Sequence, residues 1–337
     1  MKNNILDLIK NSQNIVILAH EKPDGDAVGS SLTIYSTLLD LNKTVDIILQ
    51  DVPTRFKFLK NYDKIQEDTD KFYDLGIILD CSKQSRIGDK SDIFSRCKKT
   101  ICIDHHATNE NYCTINYVVP ETSSCCQVIY YLYKDLNIPV DKQIGESLLL
   151  GLLTDTNGYA NNNVDGKTLK MAEELTTLGV DHYKIYSEAL RYETFEKYEL
   201  DKIARDRLTF YADGKIAYTY ITKKDMENTN ACEGDHEGLV EIGRNISGVE
   251  VSIFVREDDG YRFSLRSNGK VDVSEIANMF NGGGHKMAAG GNFTSNYEET
   301  INNIINEIKK RVWYNEWDIN NKQAKRLYIK GHSKYSF

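Results

Sequence analysis

Three short apolar runs, each stopped by an ionisable residue, constrain this chain more than any other feature. Ile15-Val16-Ile17-Leu18-Ala19 runs into His20, Leu75 to Leu79 into Asp80, and Ile101 to Ile103 into Asp104-His105-His106. Runs of this length without polar alternation read as strands buried on both faces. Val45 to Leu49 reads as a further strand. Between them lie helical patterns: Val28, Leu32, Tyr35 and Leu39 fall on one face. Strands separated by helices predict parallel pairing in an α/β sheet with both faces covered.

Helices then follow at Ser124 to Leu136, Ile144 to Leu153, Gly166 to Leu178 and Asp181 to Leu190. The charged stretch Thr194 to Leu208 has no Gly or Pro and reads as a connecting helix. Beyond it, strands at Thr209 to Tyr211, Ile216 to Ile221, Glu250 to Arg256 and Tyr261 to Ser267 mix with helices at Gly238 to Ile246, Val273 to Phe280 and Tyr297 to Val312. The expected organisation is a parallel-sheet α/β domain over 1–190, a helical linker over 191–208, a smaller α+β domain over 209–315 and a basic tail over 316–337. A length of 337 residues suits about two domains.

Composition excludes several classes. No apolar run approaches the roughly 18 residues of a membrane span, and the N-terminus lacks a signal-peptide core, so a cytoplasmic protein is expected. Seven cysteines with no CxxC spacing read as reduced thiols. A net charge of −8 argues against non-specific binding to long nucleic acid. That charge is uneven: residues 1–190 hold 27 acidic and 20 basic side chains.

Ligands of open parallel sheets bind at the carboxyl ends of strands, so His20, Asp80 and Asp104-His105-His106 can converge on one crevice. Asp24 and Asp26 follow His20 in Pro23-Asp24-Gly25-Asp26, and Asp155 ends the apolar helix Ser147 to Thr154. Taken singly, each has an ordinary reading: a turn, a helix cap, a surface histidine pair. Repetition at three strand ends is what an ordinary sheet does not require. Five Asp and three His in one crevice would repel as bare anions, and divalent cations hold them together. A carboxylate-rich set with imidazoles and no thiolate favours Mn(II), Mg(II) or a similar ion. Two such ions sharing one Asp suit phosphate-ester hydrolysis. In the second domain, a glycine loop with Gly282-Gly283-Gly284-His285 and Gly290-Gly291 lets the backbone approach a phosphate closely, with Arg266 nearby. Asn161-x-Asn163-x-Asp165-Gly166 imitates a calcium loop, but Ala172 stands where the closing Glu belongs, so it reads as a turn. His182, His236 and His332 read as surface or packing residues.

These residues resemble the DHH phosphoesterases that carry a C-terminal DHH-associated domain. That group includes NrnA-like nano-RNases that also act as pAp phosphatases, and soluble cyclic-dinucleotide phosphodiesterases. The markers are His20 to Ala27, Asp80 with Arg86-Ile87-Gly88, Asp104-His105-His106, Thr154-Asp155-Thr156, Arg266-Ser267 and the run Gly282 to Gly291. The resemblance implies two divalent cations, Mn(II) by preference. One would be held by His20, Asp24 and Asp80, the other by Asp26, Asp80, His105 and Asp155. Asp104 would orient its neighbours, and His106 would donate to the scissile phosphate or leaving oxygen. Arg86, Arg266, Ser267, Gly283, Gly284 and His285 would contact substrate. The implied activity is Mn-dependent phosphodiesterase and phosphatase chemistry of the oligoribonuclease and 3′(2′),5′-bisphosphate nucleotidase type, on short RNA, pApA or pAp. Cyclic di-AMP hydrolysis, pyrophosphatase activity and a non-catalytic nucleotide sensor are the alternatives. Partners are expected to be small nucleotides or short RNA, with no membrane, in a monomer or homodimer. Two bound cations would take the formal charge from −8 to −4.

Overall fold

The computed structural model describes residues 2–312, and the chain divides into two compact units between Tyr192 and Glu193. The first unit opens with α1 (Lys2–Lys10), β1 (Asn14–Ala19), α2 (Gly25–Asp40) and β2 (Thr44–Ile48). A two-residue β3 (Ile65–Gln66), β4 (Tyr73–Leu79), α3 (Ser91–Ser95), β5 (Cys97–Asp104) and β6 (Ile115–Val118) follow. Helices α4 (Cys125–Leu136), α5 (Lys142–Asp155), α6 (Gly166–Thr177) and α7 (His182–Tyr186) complete it. All six strands pair in parallel, in the order β3-β2-β1-β4-β5-β6.

That order reverses between β1 and β4, so the carboxyl ends of these neighbours flank a crevice. The apolar runs are continuous because both faces are covered. Ile15 and Ile17 of β1 point into the core beneath α2, α4 and α5, while Val16 and Leu18 join Ile78, Ile87, Ile93 and Cys102 on the opposite face. Helices α2 and α5 approach closely. A Cβ on Gly29 would lie 2.4 Å from the Ser147 carbonyl.

In the second unit, α8 (Phe195–Asp206) precedes β7 (Thr209–Tyr211), β8 (Ile216–Ile221), α9 (Lys223–Thr229) and α10 (Leu239–Arg244). Then come β9 (Val251–Asp258), β10 (Gly260–Ser267), α11 (Val273–Met279), β11 (Gly283–His285), β12 (Ala288–Phe293) and a helical run over 297–312. The sheet order is β11-β12-β10-β9-β8-β7, antiparallel except for the β8–β9 pair. Val251, Ile253, Phe263 and Leu265 face α11 and the 297–312 helix, where Ile304 and Ile308 are fully buried.

Two expectations change here. The charged helix expected as a linker is part of the second unit: Leu200 and Ala204 of α8 are buried against Ile221, Leu239 and Phe254. Its charges lie on the outer face, which is why its sequence read as a connector. The glycine run, expected as a loop, is an edge hairpin of β11 and β12 with Gly283 opposite Gly290 and His285 opposite Ala288. Gly284 has φ +139° and its Cβ would strike the Ala288 carbonyl at 2.6 Å, so only glycine fits there. The basic tail over 316–337 and His332 lie outside the described residues. Among the described residues no helix is long and apolar enough to cross a membrane.

Candidate metal centre

β1, β4 and β5 deliver their terminal residues to one place. His20 follows β1, Asp80 follows β4, and Asp104 closes β5 ahead of His105 and His106. Asp80 takes a left-handed backbone, φ +51°, which Asp tolerates better than most side chains. Its two oxygens then face different imidazoles: Oδ2 lies 3.5 Å from His20 Nε2 and Oδ1 lies 3.4 Å from His105 Nε2.

Around this central carboxylate stand two ligand sets. His20, Asp24 and Asp80 form one, with His20 Nε2 4.0 Å from Asp24 Oδ1. His20 Nδ1 donates to the Glu21 carbonyl at 2.8 Å, leaving Nε2 as the lone-pair nitrogen turned inward. Asp26, His105 and Asp155 form the other, with His105 Nε2 4.0 Å from Asp26 Oδ2 and 3.2 Å from Asp155 Oδ2. Asp80, Asp104, His105 and His106 also cluster within ligand reach.

Three carboxylates of the centre are held from behind. Asp24 caps α2, accepting from the backbone N–H of Asp26 and Ala27. The fully buried Asp26 accepts from the N–H groups of Cys125 and Cys126 at the start of α4, where the helix dipole favours an anion. Gly151 of α5 makes room for it, since a Cβ there would lie 2.4 Å from Asp26 Oδ1 and 2.3 Å from Cys126 Sγ. Buried Asp104 accepts from the His105 N–H, His106 Nδ1 and Asn109 Nδ2, at 2.8, 2.8 and 2.7 Å. With Nδ1 so engaged, His106 keeps Nε2 for another partner, and its ring is about one-third exposed.

The electrostatics fit divalent cations. Burial, then the Asp80 charge, push the Asp26 carboxyl up to about 7. Burial, then Asp26 and Asp80, raise Asp155 well above the ordinary carboxylate range. Burial disfavours charge on Asp80 too, but the facing His105 and His20 imidazoles outweigh it and hold its carboxyl well below the usual range. Burial works against an imidazolium at His105, yet Asp80, Asp26 and Asp155 outweigh it and raise the ring to about 10. Among the described residues, Asp80 Oδ1 is buried without a hydrogen-bond partner, and Asp155 sits at the C-terminal end of α5, where the dipole opposes a negative charge. A cation at each ligand set relieves both.

The residues expected at substrate divide. Arg266 lies on β10 and pairs through Nε with Glu241 Oε1 at 3.1 Å. Gly283, Gly284 and His285 lie on the edge strand β11, which β12 separates from β10, with His285 exposed. Ser267 alternates to the opposite face of β10 from Arg266 and is fully buried, donating to Glu250 Oε1 at 3.2 Å. Arg86 sits in a 3-10 segment, Gln84–Lys90, whose Arg86 carbonyl accepts from the Glu21 N–H at 2.7 Å. Asn109 and the start of α4 were missed in the sequence. An Asn five residues past a strand end has no spacing signal, and a backbone N–H has no side-chain identity at all. The calcium-loop mimic is a helix cap: Asp165 accepts from the Thr168 N–H at 2.8 Å. His182 stacks between Tyr159 and Tyr186, and His236 packs on Arg256.

Comparison with known proteins agrees with this architecture. Residues 14–152 match the DHH family N-terminal domain and 213–313 the DHHA1 domain. The bifunctional oligoribonuclease and PAP phosphatase NrnA of Thermus thermophilus is 30% identical over 280 residues, 82% of this chain and 83% of the relative. Its Bacillus subtilis counterpart of the same name is 28% identical over 303 residues, 88% and 94% of the two chains. The crystal structure of an exopolyphosphatase-related protein from Bacteroides fragilis superposes with a TM-score of 0.84 at 29% identity, covering 92% of this chain and 95% of that one. With both domain matches, a relative aligned over most of its length and aspartates and histidines gathered at three strand ends, the chain belongs to the DHH/DHHA1 family of phosphoesterases.

Proposed function

We propose that this protein hydrolyses phosphoester bonds in small nucleotides with two Mn(II) ions, releasing 5′ mononucleotides from short oligoribonucleotides such as pApA and converting pAp to AMP. The observation that carries the reading is the Asp80 carboxylate, whose two oxygens face His20 and His105 in two separate ligand sets. His20, Asp24 and Asp80 would hold one ion, and Asp26, Asp80, His105 and Asp155 the other. Bound there, the ions supply Lewis acidity for a phosphoryl centre and its attacking water. His106 is the proton donor to the leaving oxygen. Asp104 holds its Nδ1, so Nε2 is the nitrogen that transfers the proton. In the second unit, Arg266, Gly283, Gly284 and His285 take the remaining phosphate or nucleotide. The relatives' printed activities, oligoribonuclease and PAP phosphatase, support this choice.

A rate comparison of pAp, pApA, a short RNA ladder and cyclic di-AMP with excess Mn(II) tests the substrate. The linear compounds should turn over fastest. Fastest hydrolysis of cyclic di-AMP would overturn the preference.

A further inference from the structure

Asp26 and Asp155 belong to the same ligand set yet come from different helices, α2 and α5, and one side chain outside that set ties their supports together. Asn163 donates from Nδ2 to the Asp155 carbonyl at 3.3 Å and to the Ser123 carbonyl at 3.2 Å. Ser123 returns the contact, its hydroxyl donating to the Asn163 carbonyl at 2.6 Å. Ser123 is nearly fully buried and immediately precedes Ser124, the N-cap of α4. The next two residues, Cys125 and Cys126, hold the Asp26 carboxylate by their N–H groups. Asn161 adds a second donor to the Asp155 carbonyl at 3.0 Å. That carbonyl is at the end of α5, where the last helical acceptors have no partner of their own.

From this network we propose that Asn163, assisted by Asn161, is a positioning residue for the cation held by Asp26, His105 and Asp155. By tying the end of α5 to the start of α4, it fixes the separation of two carboxylates without touching either. His20 and Asp24, which complete the other set, have no hydrogen bond to Asn163 among the described residues. The effect is therefore selective for one of the two cations. The inference rests on the metal-centre reading above.

The test is a calorimetric titration of Mn(II) into the metal-stripped full chain, wild type beside Asn163→Leu, Asn163→Ala, Asn161→Ala and Asn162→Ala. Leu keeps the shape of Asn163 without its donors, and Asn162, exposed like Asn161 and Asn163, has no hydrogen bond to Asp155 or Ser123 among the described residues. Ligand-supporting partners typically contribute about 10–100-fold in metal affinity. Both Asn163 variants should weaken one of two binding steps by about 10-fold and leave the other unchanged. Asn161→Ala should give a smaller loss in the same step, and Asn162→Ala none. Unchanged affinities in both Asn163 variants would overturn the inference. So would an equal fall in both steps together with a lowered melting temperature, the mark of a role in folding alone. A wild-type chain that binds fewer than two cations would overturn the metal-centre reading itself, a result distinct from both.

Discussion

At the residue scale, the centre is a problem of charge solved by position. Asp80 stays anionic because two imidazoles face its oxygens, while Asp26 and Asp155 are pushed toward their protonated forms. The sign of the pH dependence follows. In the metal-free protein, His105 is raised to about 10, so its contribution to stability is complete below its unfolded pKa near 6.5 and is lost as pH rises through about 10. Asp26 is raised to about 7, so its contribution is complete below about 3.9 and is lost as pH rises through about 7. Cation binding requires both groups deprotonated, so it must release protons near neutrality. Mn(II) titrated at pH 6.5 in buffers of different ionisation enthalpy should give heats that depend on the buffer, corresponding to about one proton or more released. Buffer-independent heat would contradict the assignment of these two groups as ligands.

At the element scale, the site depends on how closely α2, α4 and α5 pack. Gly151 is where the three meet: Asp26 and Cys126 occupy the space a side chain would need. In a helix, alanine gains about 1 kcal/mol over glycine, but overpacking a core costs about 1–3 kcal/mol. Gly151→Ala should therefore lower stability by up to about 2 kcal/mol on balance, read by denaturant unfolding, and weaken cation binding by displacing Asp26. A variant as stable as wild type with unchanged Mn(II) affinity would show that the close approach is not required. This scale also separates what the sequence showed from what it hid. The ends of β1, β4 and β5 were legible because short apolar runs stop at ionisable residues. β3 and β6 were not, since one has two residues and the other is only half-buried. The hairpin of β11 and β12 looked like a loop because glycine carries no alternation to reveal a strand. Ser267 lies on the opposite face of β10 from its neighbour Arg266, a consequence of register that a motif does not carry.

For the whole molecule, the charge of −8 that disfavours long nucleic acid is compatible with a small nucleotide held by cations. The excess acidity lies in the unit that gathers the ligands, 27 acidic against 20 basic side chains over residues 1–190. The carboxylates that would repel a phosphate when bare become the support of a positive site once cations are bound. The two-unit organisation was legible from the change in strand and helix pattern near residue 194. The assignment of α8 was not, because its buried face contributes only Leu200 and Ala204. The most direct test of the account is the initial rate of AMP release from pAp with excess Mn(II), measured for the wild type and for Asp80→Ala side by side. The account predicts turnover by the wild type and a loss of about 10³-fold or more in the variant, because one carboxylate serves both ligand sets. Equal rates in the two proteins, or no hydrolysis by the wild type, would contradict it.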